Sequence, residues 1–331
     1  MKIKIFILGS ILCCNSFLFS QESEAKALPS TLEQEAEKMK QAEADSVKAW
    51  KKGGMITISG QQVSLTNWAA GGQNSISGAG MINLFASYKK GKAVWDNNLD
   101  LAYGVVKQGS NKNWWKNDDR IQLTSKYGRK AFDNFYYSAL LDFKTQFAAG
   151  YNYPNDSVKI SNFFAPAYAL AAIGMDYKPN ANLSVFFAPL TGKFTFVNND
   201  TLAKYGEFGV QKEERDPLTN VITQHYLKHR EEFGGYLKFQ FKRNVMENIS
   251  FTTVLELFSN YLHNPGNVDV NWTTLTSMKV NKYITVTLST NLIYDDDVTI
   301  TAYKGDTQVI DFSGPRLQFK QVFGVGFSYK F

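Results

Sequence analysis

The chain has 331 residues, of which 15% are aromatic, with a formal net charge of +6 and a mean hydropathy of −0.28. Its basic residues are spread along the sequence and form no recognised nucleic-acid motif, so nucleic acid is excluded as an expected partner. Both cysteines, Cys13 and Cys14, lie within residues 1–20, so the remaining chain has no thiol for catalysis, disulfides or zinc binding.

Residues 1–20 predict a secretory signal peptide. Lys2 and Lys4 supply the positive start, an apolar core follows, and Ser20 precedes a plausible cleavage point. A lipoprotein, acylated at one of the two cysteines, is the alternative. The residues before these cysteines lack the usual lipoprotein pattern, so we favour the cleaved signal.

Residues 21–53 predict a periplasmic helical or linker segment. Ser30 and Glu33 form a capping-box pattern, and strong helix formers follow until Gly53. We expect a solvated helix; a helix that docks on the following domain, or plugs it, is the alternative.

From Met55 onward the apolar residues alternate with polar ones, which is typical of β-strands with one buried or lipid-facing side. Membrane β-barrels are apolar only at every second position, so a low mean hydropathy does not exclude them. The sequence predicts an all-β domain over residues 54–331, a single antiparallel transmembrane β-barrel of about 12 strands. The predicted strands lie near residues 55–66, 74–89, 92–107, 119–129, 134–150, 162–178, 181–197, 226–242, 247–261, 268–281, 283–295 and 316–331.

The connections between these strands alternate between short and long. Every short turn carries Lys or Arg, whereas most of the others are long loops, the longest from Asn198 to His225. One exception is the compact outer connection from Asn67 to Gln73. Short periplasmic turns and long extracellular loops are typical of outer-membrane barrels, so we expect the protein in the outer membrane.

The face opposite the apolar one carries charges that we expect to line the lumen. They are Asp100, Arg120, Lys126, Asp142, Lys144, Lys238, Glu256, Lys279 and Lys320. They could line an aqueous pore, or they could pair with one another and close it.

The final strand resembles the closing strand that outer-membrane barrels present to their assembly machinery. Phe327, Tyr329 and Phe331 alternate on one face. We therefore predict membrane lipid and the barrel-assembly machinery as partners, with other envelope proteins as further candidates.

Several distinctive motifs occur in order within residues 54–331. They include the segments 67–72 (NWAAGG), 95–97 (WDN), 164–168 (FAPAY), 188–193 (APLTGK) and 294–297 (YDDD). With these motifs the chain resembles domain-of-unknown-function family 3078, secreted envelope proteins of the Bacteroidota lineage. The family has no assigned activity, so the resemblance implies an envelope barrel and transfers no catalytic residue.

No pattern of enzyme chemistry stands out. The three histidines, His225, His229 and His263, accompany no Gly-x-Ser-x-Gly motif, so we predict no catalytic, cofactor or metal site and regard a hydrolase as the least favoured function. The acidic runs Asp118–Asp119 and Asp295–Asp297 could bind calcium, although hydrated loops are the simpler interpretation. Trp68 is a candidate loop contact for a partner or ligand.

Two functions remain open from the sequence. The first is a narrow channel or transporter for small polar solutes or ions. The alternative is a structural or assembly barrel of the envelope whose lumen is occluded by charge pairs.

Overall fold

The computed structural model describes residues 49–64, 74–109, 113–151, 153, 157–281, 283–298, 300–303 and 310–331. The predicted signal peptide, most of the segment 21–53 and the candidate contact Trp68 lie outside these ranges.

Twelve antiparallel strands close into one barrel, as the sequence predicted. Their order around the barrel is β1-β18-β15-β14-β13-β12-β9-β8-β5-β4-β3-β2. Their bounds are β1 Trp50–Val63, β2 Ser75–Lys90, β3 Ala93–Gln108, β4 Trp115–Phe132, β5 Phe135–Thr145, β8 Ala167–Asn180, β9 Leu183–Phe196, β12 His229–Met246, β13 Ile249–Asn260, β14 Val268–Lys279, β15 Ile284–Tyr294 and β18 Gln318–Lys330.

Alternation along each strand separates a lipid-compatible outer face from a polar interior. In β1, Ile56 and Ile58 are exposed on the outside, whereas Met55 and Thr57 are buried on the inside. Leu141 in β5 and Phe327 in β18 are likewise 60% and 67% exposed on the outer face. Each barrel strand pairs with a neighbour on either side, over part of its length at the junction of β1 and β18, so the closed sheet can present this apolar face to hydrocarbon.

The two ends of the barrel differ as the connection lengths predicted. One end, the short-turn end, carries tight connections such as the turn at Gly91, whose φ of +57° suits glycine. The other, the long-loop end, carries additional elements inside its loops. These are the two-stranded sheets β6 Gly150–Tyr151 with β7 Lys159–Ser161, β10 Glu214–Arg215 with β11 Ile222–Gln224, and β16 Ile300–Tyr303 with β17 Ile310–Gly314, and the helix α1 Asp200–Tyr205.

The start of the barrel is the main correction to the predicted domain boundaries. Strand β1 begins at Trp50, so residues 50–53 belong to the sheet and not to the predicted helical or linker segment. Gly53 and Gly54 pair with Phe85 and Leu84 of β2 instead of ending a helix. The helix-like spacing that includes Trp50 misled the prediction because short apolar patterns do not distinguish helix from strand.

Among the residues described, no helix is long and apolar enough to cross a membrane.

Candidate functional site

A central network of charged side chains crosses the lumen. The Lys144 Nζ of β5 lies 3.4 Å from an oxygen of Asp142 and 3.9 Å from an oxygen of Glu256 on β13. Strands β5 and β13 are separated by β8, β9 and β12, so the second contact spans the interior and not a neighbouring strand pair. Lys238 of β12 completes the network, with its Nζ 3.0 Å from Glu256.

Neutral side chains hold the two carboxylates of the central network in place. The Tyr236 hydroxyl and the Asn271 amide donate to Glu256 at 2.7 and 3.0 Å. Gln122 and Thr124 donate to Asp142 at 3.0 and 2.7 Å. The side chains of Lys144 and Glu256 are only 16% and 14% exposed, so these charges depend on one another and on these donors.

A second group of charges lies nearer the short-turn end. Lys126 of β4 pairs with Asp176 of β8, and the Lys178 Nζ lies 3.2 Å from the same carboxylate. The Ser184 hydroxyl also donates to Asp176 at 2.7 Å. The Lys126 ammonium lies 4.6 Å from the ring centroid of Phe186, a cation–π distance.

Apolar side chains fill the space between these charged groups. The lumen cluster is built from five neighbouring strands and comprises Leu140, Ala172, Phe186, Ala188, Tyr236 and Phe258, with Leu170 packed against it. Since Phe186 is fully buried inside the barrel, this side of the lumen is a packed core and not an open channel.

A third network, at the long-loop end, is more acidic. Lys193 of β9 contacts Asp269 at 2.7 Å, Glu232 at 3.3 Å and Asp295 at 3.6 Å. Asp269 lies on β14, beyond β12 and β13 from β9, so Lys193 also bridges across the barrel. The Asp295 side chain is 2% exposed, which places this end of the acidic run 295–297 inside the barrel mouth.

The long loop 198–228 is anchored to this network. Arg230 pairs with Glu232 at 2.9 Å and Asp297 at 3.2 Å, and it donates to the backbone carbonyl of Gly209 at 3.5 Å. Leu202 and Phe208 of the loop belong to a buried apolar cluster that also contains residues outside the loop, such as Ala165. The loop therefore packs as an ordered cap on the barrel mouth.

The opposite wall, formed by β18, β1, β2 and β3, combines the buried side chains of Met55 and Phe85 with polar residues and glycines. Asn83 donates to Asp100 at 2.7 Å, and both residues are buried. Gly324 and Gly326 occupy inward positions of β18. Near the mouth, the Lys320 Nζ approaches Asp118 of β4 at 3.9 Å, with β1, β2 and β3 lying between their strands.

The structure brings together some of the predicted lumen charges and separates others. Asp142, Lys144, Lys238 and Glu256 form one network, whereas Lys126, Asp100 and Lys320 belong to different parts of the interior. The remaining two predicted charges, Arg120 and Lys279, lie on inward positions of β4 and β14, and Arg120 is buried.

The sequence interpretation missed Asp176, Lys193, Arg230 and Glu232 as lumen charges. Each lies at an inward-facing strand position, so the alternation that found Lys144 could also have found them. The pairing partners could not be identified, because they come from strands that are distant in sequence.

The acidic runs and histidines gain no metal centre from the fold. Asp119, the first residue of a predicted strand, lies within β4 and accepts hydrogen bonds from the backbone N–H groups of Phe147 and Ala148 at 2.7 and 2.9 Å. Within the described part of the chain, no group of three or more His, Cys, Asp or Glu side chains is arranged to hold a metal ion. His229 begins β12, and His225 lies in the preceding loop.

Comparison with known families identifies one match. Residues 60–151 match the family model described as "Protein of unknown function (DUF3078)". The family resemblance seen in the sequence motifs is thereby confirmed over this part of the barrel. No curated protein sequence matches the chain.

Several solved structures share the barrel architecture at low similarity. The COG4313 outer membrane channel from Pseudomonas putida F1 is 10% identical, with 87% of this chain and 98% of that chain covered and a TM-score of 0.39. The NanC porin is 9% identical, with 84% and 100% covered and a TM-score of 0.35. The translocator domain of the autotransporter NalP from Neisseria meningitidis is 8% identical, with 90% and 94% covered and a TM-score of 0.36. Similarities this low carry no functional argument.

Proposed function

We propose that this outer-membrane β-barrel is a narrow channel for small ions or small polar solutes, and that the state described is its closed form. The observation that carries the proposal is the contact between Lys144 and Glu256 across the lumen. It places a pair of opposite charges in the only route that joins the two ends of a closed barrel. Charged groups in such a position can set both passage and selectivity.

Two features support a closed channel that can open. The central network is balanced in charge, with Asp142 and Glu256 against Lys144 and Lys238, so its members can exchange partners without leaving a net charge in the lumen. The opposite wall carries inward glycines at Gly324 and Gly326, so these two positions place no side chain in the lumen.

Single-channel recording in planar bilayers tests the proposal. The purified full chain should give rare or small conductance steps. Lys144→Ala combined with Glu256→Ala should give larger or more frequent steps, because both members of the cross-lumen pair are removed, and the remaining Asp142 and Lys238 carry one charge of each sign. The matched control is Lys212→Ala with Glu214→Ala, an exposed pair in the outer loop, which should behave as the wild type.

A second variant addresses the loop. Deleting residues 198–225 removes the Gly209 carbonyl that Arg230 contacts, so we expect more frequent openings. Bilayers that stay silent for all of these folded variants would contradict the channel.

The second candidate is a structural or assembly barrel of the envelope with a permanently occluded lumen. The lumen cluster around Phe186 favours it, because a packed core stabilises a barrel whether or not anything passes through. Silent bilayers together with co-purifying envelope proteins would support this second function. A hydrolase remains the least favoured proposal, and assays with ester and peptide substrates test it directly.

A further inference from the structure

The seam between the first and last barrel strands is closed over only part of its length. Strands β1 and β18 pair through five residue pairs, from Met55 with Lys330 to Ser59 with Gly326. Two backbone hydrogen bonds between Gly54 and Phe331, at 3.0 and 3.1 Å, extend the closure at the short-turn end. Beyond Ser59, within the described residues, the two strands form no further pairs with each other.

Both strands nevertheless continue past the last pair. Residues 60–63 of β1 remain paired with β2 as far as Val63 and Ser75. Residues 318–325 of β18 remain paired with β15 as far as Gln318 and Ile293. Toward the long-loop end, β1 and β18 therefore separate from each other, while β1 stays paired with β2 and β18 stays paired with β15.

An unpaired strand edge is unusual at this position. Hydrocarbon offers no hydrogen-bonding partner, so a lipid-facing edge with free N–H and C=O groups is strongly disfavoured. At roughly 3.3 Å per residue, the described unpaired stretch 321–325, opposite residues 60–64, spans about 17 Å, which is roughly two thirds of the height of a barrel's apolar band. A polar group that reaches this edge would satisfy it.

The residues around the opening are suited to an amphipathic molecule. Outside, Phe319 and Phe323 are 63% and 61% exposed and continue the apolar belt. Inside, Gln61 and Gly324 are polar or small. Toward the mouth, the side chain of Lys320 is 51% exposed and touches Asp118 only at 3.9 Å, so its charge remains accessible to an anion.

We propose that the unpaired part of the β1–β18 seam is a lateral opening through which an anionic membrane phospholipid reaches the lumen. The acyl chains stay among Phe319, Phe323 and the surrounding membrane, and the phosphate lies beside the accessible ammonium of Lys320. This function is separate from ion conduction along the barrel axis, and it holds whether or not the channel conducts.

Photo-crosslinking in lipid vesicles tests the opening. The full chain is reconstituted in phosphatidylcholine that contains phosphatidylglycerol with a photoreactive acyl chain, and labelled residues are mapped by mass spectrometry. We expect labelling at the inward positions Gln61 and Val322 in addition to outward positions. Labels confined to outward positions around all strands would show ordinary lipid contact and would overturn the proposal.

A disulfide lock supplies the first control. Continuing the register pairs Gln61 with Gly324 at a site where the strands exchange no hydrogen bonds, and such sites bring Cβ atoms close enough for a disulfide. Oxidised Gln61→Cys with Gly324→Cys should lose the inward labelling at Val322 and recover it on reduction. Thr57→Cys with Ser328→Cys, placed where the seam is already closed and the two hydroxyls lie 3.0 Å apart, should keep that labelling.

A substitution of Lys320 tests whether the lipid headgroup is anionic. With Lys320→Gln, we expect loss of any preference for photoreactive phosphatidylglycerol over phosphatidylcholine carrying the same chain. Equal labelling by both lipids in the wild type would overturn the anionic assignment. If the disulfide does not form, the distribution of labels between inward and outward positions still decides between a specific opening and general lipid contact.

Discussion

Glu256 has four polar partners among the described residues of the lumen. Its carboxylate accepts from Tyr236 and Asn271 and contacts Lys144 and Lys238. A carboxylate that is 14% exposed can remain charged here because these donors replace the water it has lost. The same dependence means that removing one partner leaves the others uncompensated.

Replacing this single charge should therefore destabilise the barrel. Glu256→Gln leaves Lys144 and Lys238 without their shared anion, and we expect a loss of about 2–3 kcal/mol in the free energy of unfolding. Urea unfolding in detergent or lipid measures it. Glu214→Gln, in an exposed pair with Lys212, is the control and should change little. Equal stability of both variants would show that the central network contributes no net energy.

A second residue-scale prediction concerns pH at the outer loop. A hydrogen bond from Lys228 and another from Tyr226 hold the pKa of Asp200 below its ordinary value of 3.8. The same contacts raise the pKa of Lys228 above 10.5 and that of Tyr226 above 10.0. Stability from the Asp200 carboxylate is present above the unfolded pKa and is lost as pH falls through the folded one. The stability that Lys228 and Tyr226 contribute is present below their unfolded pKa values and is lost as pH rises through their folded pKa values.

Docking of α1 should thus be strongest between about pH 4 and pH 10. Hydrogen exchange of residues 200–205 measures it, with Asp200→Asn compared at each pH to cancel the intrinsic pH dependence. Protection in the wild type should exceed that of the variant inside this window and converge with it at lower pH. A constant difference across all pH values would contradict the ion-pair explanation.

At the scale of single elements, two bulges shape the wall beside the lumen cluster. The pairing of β8 with β9 shifts register between Ile173 and Met175, and that of β12 with β9 shifts between Gly234 and Tyr236. A Cβ on Gly174 would collide with the Phe187 carbonyl and lie 2.5 Å from the Ala188 Cα. Backbone approaches this close require glycine, and the bulges redirect side chains such as Tyr236.

Gly174→Ala should destabilise the barrel by about 1–3 kcal/mol, because backbone must move to admit the methyl group. Gly80→Ala is the matched control: it is also a strand glycine, but nothing lies within 4 Å of its added Cβ. Chemical unfolding of the two variants measures the difference. If both lose the same stability, the cost comes from losing glycine in general and not from the bulge.

At the scale of the whole molecule, the last residues close the barrel through backbone contacts. Phe331 exchanges two hydrogen bonds with Gly54, and its ring is 57% exposed on the outside, 6.4 Å from that of Tyr329. The backbone hydrogen bonds close the seam here, and the ring lies against Gly54 on the outer face. The exposed ring remains available for the predicted recognition by the assembly machinery.

Phe331→Ala separates these two roles. The purified variant should refold in detergent about as well as the wild type, whereas less folded barrel should reach the membrane in cells. Heat-modifiable migration on gels measures both. Phe319→Ala removes another exposed aromatic from the same strand and should assemble normally. Normal assembly of Phe331→Ala would contradict the assembly role.

Much of the fold was predictable because successive side chains of a barrel strand alternate between two environments, the lipid and the lumen. The alternation in segments such as 283–295 located strands, and the alternation of connection lengths located the two ends. The start of β1 at Trp50 was missed, because helix-like spacing continued up to Gly53. The alternation of side chains predicted that Lys144 and Glu256 face the lumen, but it did not predict that they contact each other.

The sequence alone was enough to predict the class of protein, since the alternation of apolar and polar residues along a strand is a local property of consecutive residues. Only the tertiary structure decided which charges meet, because Lys144 and Glu256 approach through the closure of strands far apart in the chain. It alone also showed that β1 and β18 part after Ser59. Pairing between the first and last strands depends on the curvature of the whole sheet, and no local pattern encodes it.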